Sequence, residues 1–334
     1  LLDIPARSIR FRLVKLREKG ILHRRIAVTH ERKLGLGEMV IYVEENPEKR
    51  KEFYKILNEQ SVFSWHVPTT GRFNGYCLHT LYSLDSPDLP FIYLKLLKEK
   101  SIIKDYFSFI TVDYQSPGWN FDFFNTEGEW TWDWRMWEEQ IKKGVSPREQ
   151  KKIVFDEKSE RIDFDYMDIQ ILRALYAPEL NTLKKMEKKL QLSESQIGRR
   201  IKSMEEKGII RGYRTGFTPF KDLVTLSCFI KLKKNMEQVM YHLTQIPYPK
   251  SLAIESRDKV ALGIPLPSKE VVGFLNGLYT LKPIIDSYFC QIWHTNPIFN
   301  FQDAYGVYDK ETNSWVKLTK KFENSIEKIK KISE

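Results

Sequence analysis

Cysteine is scarce in this chain. There are three in 334 residues, Cys77, Cys228 and Cys290, far apart and in no Cys-x-x-Cys or Cys/His spacing. This argues against a disulfide framework or a zinc site and fits a reducing, cytoplasmic interior. The six histidines form no His-x-His or His-x-x-x-His pattern. His66 and His79 fall on strands expected to be adjacent, which is too little for a metal centre. No Gly-rich phosphate loop, nucleophile elbow or paired-carboxylate motif occurs, so neither a cofactor nor a metal is expected. Runs of 18 apolar residues are absent, as is a secretory hydrophobic region, so no membrane span or membrane partner is expected. Low-complexity tracts are missing too. What remains is a globular composition, 42% hydrophobic and 29% charged, at a length that suggests two or three domains.

The formal net charge is +10, and it is unevenly placed. Residues 1–33 carry ten Lys/Arg against three Asp/Glu, and residues 160–214 carry twelve against nine. Residues 113–140 carry seven acidic side chains against Arg135 alone. Concentrated basic charge permits a polyanionic partner. The chain also repeats itself. Lys19-Gly20-Ile21-Leu22, behind a basic amphipathic segment, recurs as Lys207-Gly208-Ile209-Ile210, 188 residues later. Ile9, Arg12, Leu13 and Glu18 find Ile197, Arg200, Ile201 and Glu206 at the same offset. That period is far too long for a solenoid and marks a duplicated multi-domain half. In the second copy the residues matching Leu1 lie inside a domain, so the first copy reads as clipped at its N-terminus.

In the second copy, Met167, Ile171, Leu172 and Leu175 predict a helix over 165–176, ended by Pro178. Leu183, Met186 and Leu190 predict another over 182–190. Ser193 followed by Gln196 is a capping box, opening a third helix that runs to about Lys207 and stops at Gly208. Ile197, Ile201 and Met204 are its inward stripe. Short extended pieces around 209–210 and 213–215 complete a winged helix-turn-helix. Strands are then expected over 223–232, 251–255, 259–265 and 287–293, with helices over 236–244 and 268–281, in the ferredoxin-like order βαββαβ. The first copy repeats this order, with strands over 38–44, 62–68, 75–82 and 105–114 and helices over 48–60 and 89–100. The expected fold class is α+β: two winged helix-turn-helix domains (1–33 and 163–217), each followed by a ferredoxin-like domain (34–115 and 218–295). A Trp-rich acidic extension with a linker (116–162) and an aromatic, Lys-rich extension (296–334) complete the chain.

The stretch LSESQIGRRIKSMEEKGIIRGYRTGF (192–217), followed by a ferredoxin-like domain, resembles the Lrp/AsnC (feast/famine) transcription regulators. Residues 4–37 resemble the same stretch, with Lys33-Leu34-Gly35 after the wing. The resemblance implies a sequence-specific DNA-binding regulator acting on double-stranded DNA at the nucleoid. It also implies a built-in pseudo-dimer of the tandem kind met in archaea, further assembly through the ferredoxin-like (RAM) domains, and a small-molecule effector such as an amino acid. For an effector site the sequence offers only residues 69–75 and 256–258.

Side chains opposite the inward stripe of each third helix are the candidate DNA contacts. In copy two these are Ser195, Gln196, Arg199 and Arg200, with Ser203 beside them and Lys202 at the flank. In copy one they are Arg7, Ser8, Phe11, Arg12 and Lys15. Arg pairs bidentately with guanine and Gln with adenine in the major groove, or either holds phosphates. Arg24, Arg25, Arg211 and Arg214, with His23, are the wing groups expected on the backbone. The two heads differ, Arg7 and Phe11 standing where copy two has Ser195 and Arg199, so two non-identical half-sites are expected.

The tryptophans Trp119, Trp130, Trp132, Trp134 and Trp137 read as an aromatic cage, a docking surface, or rings that cover a neighbouring sheet or join the halves. Two alternatives to a DNA-binding regulator are a protein-interaction module and an enzyme resembling the siroheme decarboxylases, which share this two-domain plan. Residues 75–80 (GYCLHT) lack the His/Tyr-rich run expected of such a pocket, and 259–265 is apolar. On that reading the chain is not an enzyme.

Overall fold

A computed structural model describes residues 4–59, 62–127, 129–146, 153, 161–177, 180, 182–218, 220–233, 235–295 and 301–332. Pro178, most of the expected linker (147–152 and 154–160) and the start of the second extension (296–300) lie outside the described residues.

Helices α1 (Ala6–Glu18) and α7 (Glu194–Glu206) end in the same way. Gly20 (φ 68°) and Gly208 (φ 69°) take the left-handed conformation that a side chain would disfavour. The amide of Ile21 donates to the Leu16 carbonyl and that of Ile209 to Met204, closing both helices in a Schellman motif. Each then runs into a strand, β1 (Leu22–Thr29) or β7 (Ile210–Phe217). The expected wings do not form, because β1 and β7 pair antiparallel with each other. Ile26 lies opposite Arg214, flanked by Arg25 opposite Thr215 and Ala27 opposite Tyr213. Positions 26 and 214 are 188 apart, so a local two-fold passes through this pair. Each segment stays extended through all eight residues, and the strand of the other half offers it a matching edge.

Helices α5 (Tyr166–Tyr176) and α6 (Leu183–Leu190) cover α7. Ile169, Ile171, Leu172, Met186, Ile197 and Met204 form their shared core. Both sides of the Ser193–Gln196 capping box are made, and Asp165 with Asp168 caps α5 likewise. Helix α1 differs: none of its residues is buried. Leu13, expected inward, is 37% exposed, beside Val14 at 46% and Phe11 at 62%. Among the described residues no counterpart of α5 and α6 packs on it.

The order βαββαβ occurs twice. The first set is β2 (Leu36–Glu45), α2 (Arg50–Glu59), β3 (Trp65–Gly71), β4 (Gly75–Ser83), α3 (Leu89–Glu99) and β5 (Ile103–Thr111). The second is β8 (Leu223–Leu232), α8 (Met236–Gln245), β9 (Ser251–Ser256), β10 (Lys259–Pro267), α9 (Val271–Thr280) and β11 (Ile285–Trp293). With β6 (Asp113–Gln115) they form one antiparallel sheet of order β5-β2-β4-β3-β11-β8-β10-β9-β6. Because β6 continues β5, where a single strand over 105–114 was expected, the sheet curls until its two ends meet. The Val112 amide donates to Ile254 at that closure. Strand alternation decides the faces. Met39, Ile41 and Val43 point outward to Phe53, Ile56 and Leu94 on α2 and α3. Val40 and Tyr42 point inward, into a core of Trp65, Phe73, Phe107, Phe109, Phe229, Phe289 and Trp293.

The extensions are exchanged between halves. Helix α4 (Trp134–Lys143), which follows the first sheet, packs on α9 of the second. Helix α11 (Val316–Lys330), which follows the second, packs on α3 of the first, placing Phe322, Ile326 and Ile329 in that core. Helix α10 (Phe301–Gly306) packs on α5. Trp137 is fully buried, its indole N–H donating to the His242 carbonyl at 3.1 Å. Trp119, Trp130, Trp132 and Trp134 are part-buried against the same core. The tryptophans therefore join the halves, the covering role.

Candidate nucleic-acid interface

Helix α7 forms because its capping box satisfies the first amides and its apolar stripe has α5 and α6 to bury against. The opposite face presents Ser195, Arg199 and Lys202, all exposed. Ser195 Oγ lies 3.0 Å from Ser193 Oγ, and Lys202 Nζ lies 3.8 Å from Glu206. Behind them α6 adds Lys184, Lys185, Lys188 and Lys189, also exposed. These four were not among the expected contacts, although the run LKKMEKKL carries the signal. From the first half, Lys33 Nζ donates to the Lys207 carbonyl at 2.8 Å, a cation on the negative end of α7.

Several expected contacts are committed elsewhere. Arg200 lies 2.8 Å from Asp168 and 2.9 Å from Asp165, locking α7 to the cap of α5. Ile197, Arg200, Ile201 and Met204 share the i, i+3, i+4, i+7 stripe, so its inward direction was legible in the spacing. Gln196 uses its amide oxygen to accept the Ser193 N–H at 2.8 Å. Arg211 is paired with Asp113 and donates to the Tyr114 carbonyl at 2.9 Å. Arg214 donates to the Tyr114 hydroxyl at 3.3 Å and to Ser116 Oγ at 3.4 Å. Both fasten the β1–β7 ribbon to β6 and do not project from a wing. Arg25 lies over the Tyr213 ring, 3.8 Å from its centroid. The side chain of Arg24 lies outside the described residues.

On α1, Arg7, Phe11, Arg12 and Lys15 are exposed and Ser8 is half-buried. Lys15 pairs with Glu18 at 3.0 Å. Arg12 matches Arg200 and occupies the same stripe. It is exposed because, among the described residues, nothing packs there.

Beneath the ribbon lies a buried polar cluster that the sequence did not disclose. Glu31 accepts hydrogen bonds from Thr29 Oγ1 and from the Tyr305 hydroxyl, the latter at 2.8 and 3.0 Å. Thr29 Oγ1 is also 3.0 Å from the Tyr176 hydroxyl. Burial outweighs these bonds and raises the Glu31 carboxyl to about 7, with Glu38 adding to the rise. Burial, with Arg211 nearby, pushes His30 down to about 4. The cluster ties β1 to α5 and α10, the two halves meeting through side chains.

The 69–75 segment, offered as an effector loop, packs on β11. Gln291, fully buried, accepts from the Phe73 amide at 3.1 Å and donates to the Phe73 carbonyl at 2.7 Å. Arg72 lies 4.9 Å from the Phe289 ring centroid. His66 and His79 do not meet: Trp65 pairs with His79 and His66 with Leu78, so the two rings leave opposite faces. His79 lies 2.9 Å from Glu38 and stacks on Trp65. Among the described residues two shallow surface grooves open, of about 490 Å³ at Lys95–Tyr106 and about 740 Å³ between α4 and α9.

No family model matches the chain. Over 103 residues it is 29% identical to the HTH-type transcriptional regulator LrpA of Pyrococcus horikoshii, a match covering 30% of this chain and 73% of that protein. The chain is a distant relative of an Lrp-type regulator. Its fold is similar to that of the siroheme decarboxylase NirDL, with a TM-score of 0.58 at 12% identity over 98% of this chain and 90% of that one. The same enzyme in complex with an iron-uroporphyrin III analogue gives a TM-score of 0.53 at 12% identity, over 87% of this chain and 82% of that one. At such identity the likeness concerns the fold. It nevertheless overturns the expectation that the chain is not an enzyme. That expectation rested on residues missing from 75–80 and 259–265, while the architecture as a whole is one on which an enzyme is built.

Proposed function

We propose that the chain is a DNA-binding transcription regulator that holds duplex DNA through α7 and α1. One observation carries the reading: α7 buries its apolar stripe and presents Ser195, Arg199 and Lys202 to solvent beside the lysine face of α6. The major groove is wide enough for such a helix, and exposed Arg and Lys side chains serve both base edges and phosphates. The β1–β7 ribbon, centred on Ile26 and Arg214, supports a paired presentation of the two helices. In this reading the halves are copies that form a dimer within one chain, and their unequal heads favour an asymmetric pair of half-sites. Fluorescence anisotropy with genomic duplex fragments tests it. The double substitution Arg199→Ala, Lys202→Ala is expected to weaken binding and to lower the salt slope of log affinity by about 2. Unchanged affinity and slope would overturn the assignment of α7.

The likeness to NirDL over nearly the whole chain favours a second reading, an enzyme acting on an iron tetrapyrrole. Such a substrate needs a wide cleft with cations for its carboxylates. Against this stand the aromatic side chains that fill the inside of the curled sheet and the shallow form of the grooves. Titration with siroheme followed by absorbance separates the two: a saturable spectral change with loss of carbon dioxide would establish the enzyme.

A further inference from the structure

Cys228 on β8 and Cys290 on β11 stand 62 positions apart in sequence yet face each other as direct partners in the antiparallel ladder. Their sulfur atoms are 2.7 Å apart. That is well inside the ordinary contact of two sulfurs and outside the S–S bond length of about 2.05 Å. Cβ atoms of directly opposed residues lie about 4.5–5.5 Å apart and those of a disulfide about 3.5–4.5 Å, so a rotation of the side chains with a small approach of the two strands turns two thiols into one bond. Access is unequal. Cys228 is fully buried among the aliphatic residues under α8 and α9, whereas Cys290 is partly exposed. Cys77 is buried inside the curled sheet beside Tyr42, on the opposite side of the strand layer, and has neither a solvent path nor a cysteine partner.

We propose that Cys228 and Cys290 are a reversible redox-modification site, closing to a cross-strand disulfide when Cys290 meets a peroxide. The Cys290 thiol attacks the peroxide, giving a sulfenic acid and releasing the alcohol or water. The Cys228 sulfur then attacks the Cys290 sulfur, displacing the hydroxyl, which leaves as water with the Cys228 proton. Two electrons pass from the sulfur pair to the peroxide, and a dithiol reductant returns them. Burial keeps the Cys228 thiol well above its ordinary pKa, so it is the resolving partner and not the first target. The location gives the bond leverage. Strand β11 pairs with β8 on one side and with β3 of the first half on the other. The neighbouring Gln291 holds the Phe73 backbone across that seam. A bond at 290 therefore stiffens the strand shared by both halves. This holds whichever reading of the function is correct.

The test uses the full chain, purified reduced and treated with hydrogen peroxide. Expected are loss of two titratable thiols, one remaining thiol at Cys77, an intact mass lower by two hydrogens, and a single cross-linked peptide pair joining 228 to 290. Dithiothreitol should restore all three thiols. Cys77→Ser should behave like the parent, while Cys228→Ser or Cys290→Ser should abolish the cross-link. The oxidised protein should melt several degrees above the reduced one. Three unreacted thiols in the folded protein, oxygen addition at Cys290 with no cross-link, or a cross-link between two chains would each overturn the proposal. Thiol titration and mass of the parent protein decide this even where a variant fails to fold.

Discussion

Glu31 offers the sharpest test of how the two halves are held together. Its carboxyl is buried between β1, α5 and α10, where burial raises its pKa from 4.5 to about 7. In the unfolded chain it titrates near the ordinary value. Below pH 4.5 both states carry the proton and the group is neutral to stability. Between 4.5 and 7 the unfolded chain releases a proton that the folded one retains, so stability falls as pH rises. Above 7 both are ionised and the whole cost is present. The rise from 4.5 to about 7, at about 1.4 kcal/mol per pH unit, amounts to roughly 3.5 kcal/mol. Glu31→Gln keeps the acceptor oxygen for Thr29 and Tyr305 and removes the charge. The variant should lie about 1 kcal/mol below the parent at pH 4.5, for the imperfect hydrogen bonding of the amide, and exceed it at pH 8 by about 2–2.5 kcal/mol. Urea denaturation of both proteins at half-unit steps from pH 4.5 to 8 measures the difference directly. Parallel curves, with no widening gap, would refute the claim that a buried ionised Glu31 strains the junction.

Two further outcomes follow from packing. Gly277 on α9 faces the Trp137 ring so closely that a Cβ would overlap it. Gly277→Ala should therefore cost about 2–3 kcal/mol, although alanine is the better helix former, and should expose Trp137 to solvent. A red-shifted tryptophan emission reports it, and an unchanged or raised melting temperature would contradict the arm exchange. Arg200→Ala removes the ion pairs to Asp165 and Asp168 and should destabilise the α5–α7 unit by about 1 kcal/mol. Hydrogen exchange should quicken in α5 and α7 and remain unchanged in the sheet. A loss of DNA affinity without that local opening would return Arg200 to the interface.

Element boundaries were largely legible in the sequence because their signals are local. The Ser193–Gln196 box, the glycines at 20 and 208 and the alternation of β2 and β8 each act within a few residues. Strands 223–232 and 75–82 were read to within a residue for that reason. The candidate interface was legible only in part. Arg199 and Lys202 face solvent as expected, while Arg200 and Arg211 are claimed by carboxylates, and Arg214 by hydroxyls, of other elements.

By itself the sequence determined most of the helices and the Ser193–Gln196 cap, since neighbouring backbone and side-chain groups settle these among themselves. Only the tertiary structure decided that β1 pairs with β7, that each half clamps the other with its last helix, and that Cys228 meets Cys290. Those partners lie 62 to nearly 230 residues apart. No local rule carries them: an edge strand or an apolar helix face states that it needs a partner, and the assembled chain supplies which one.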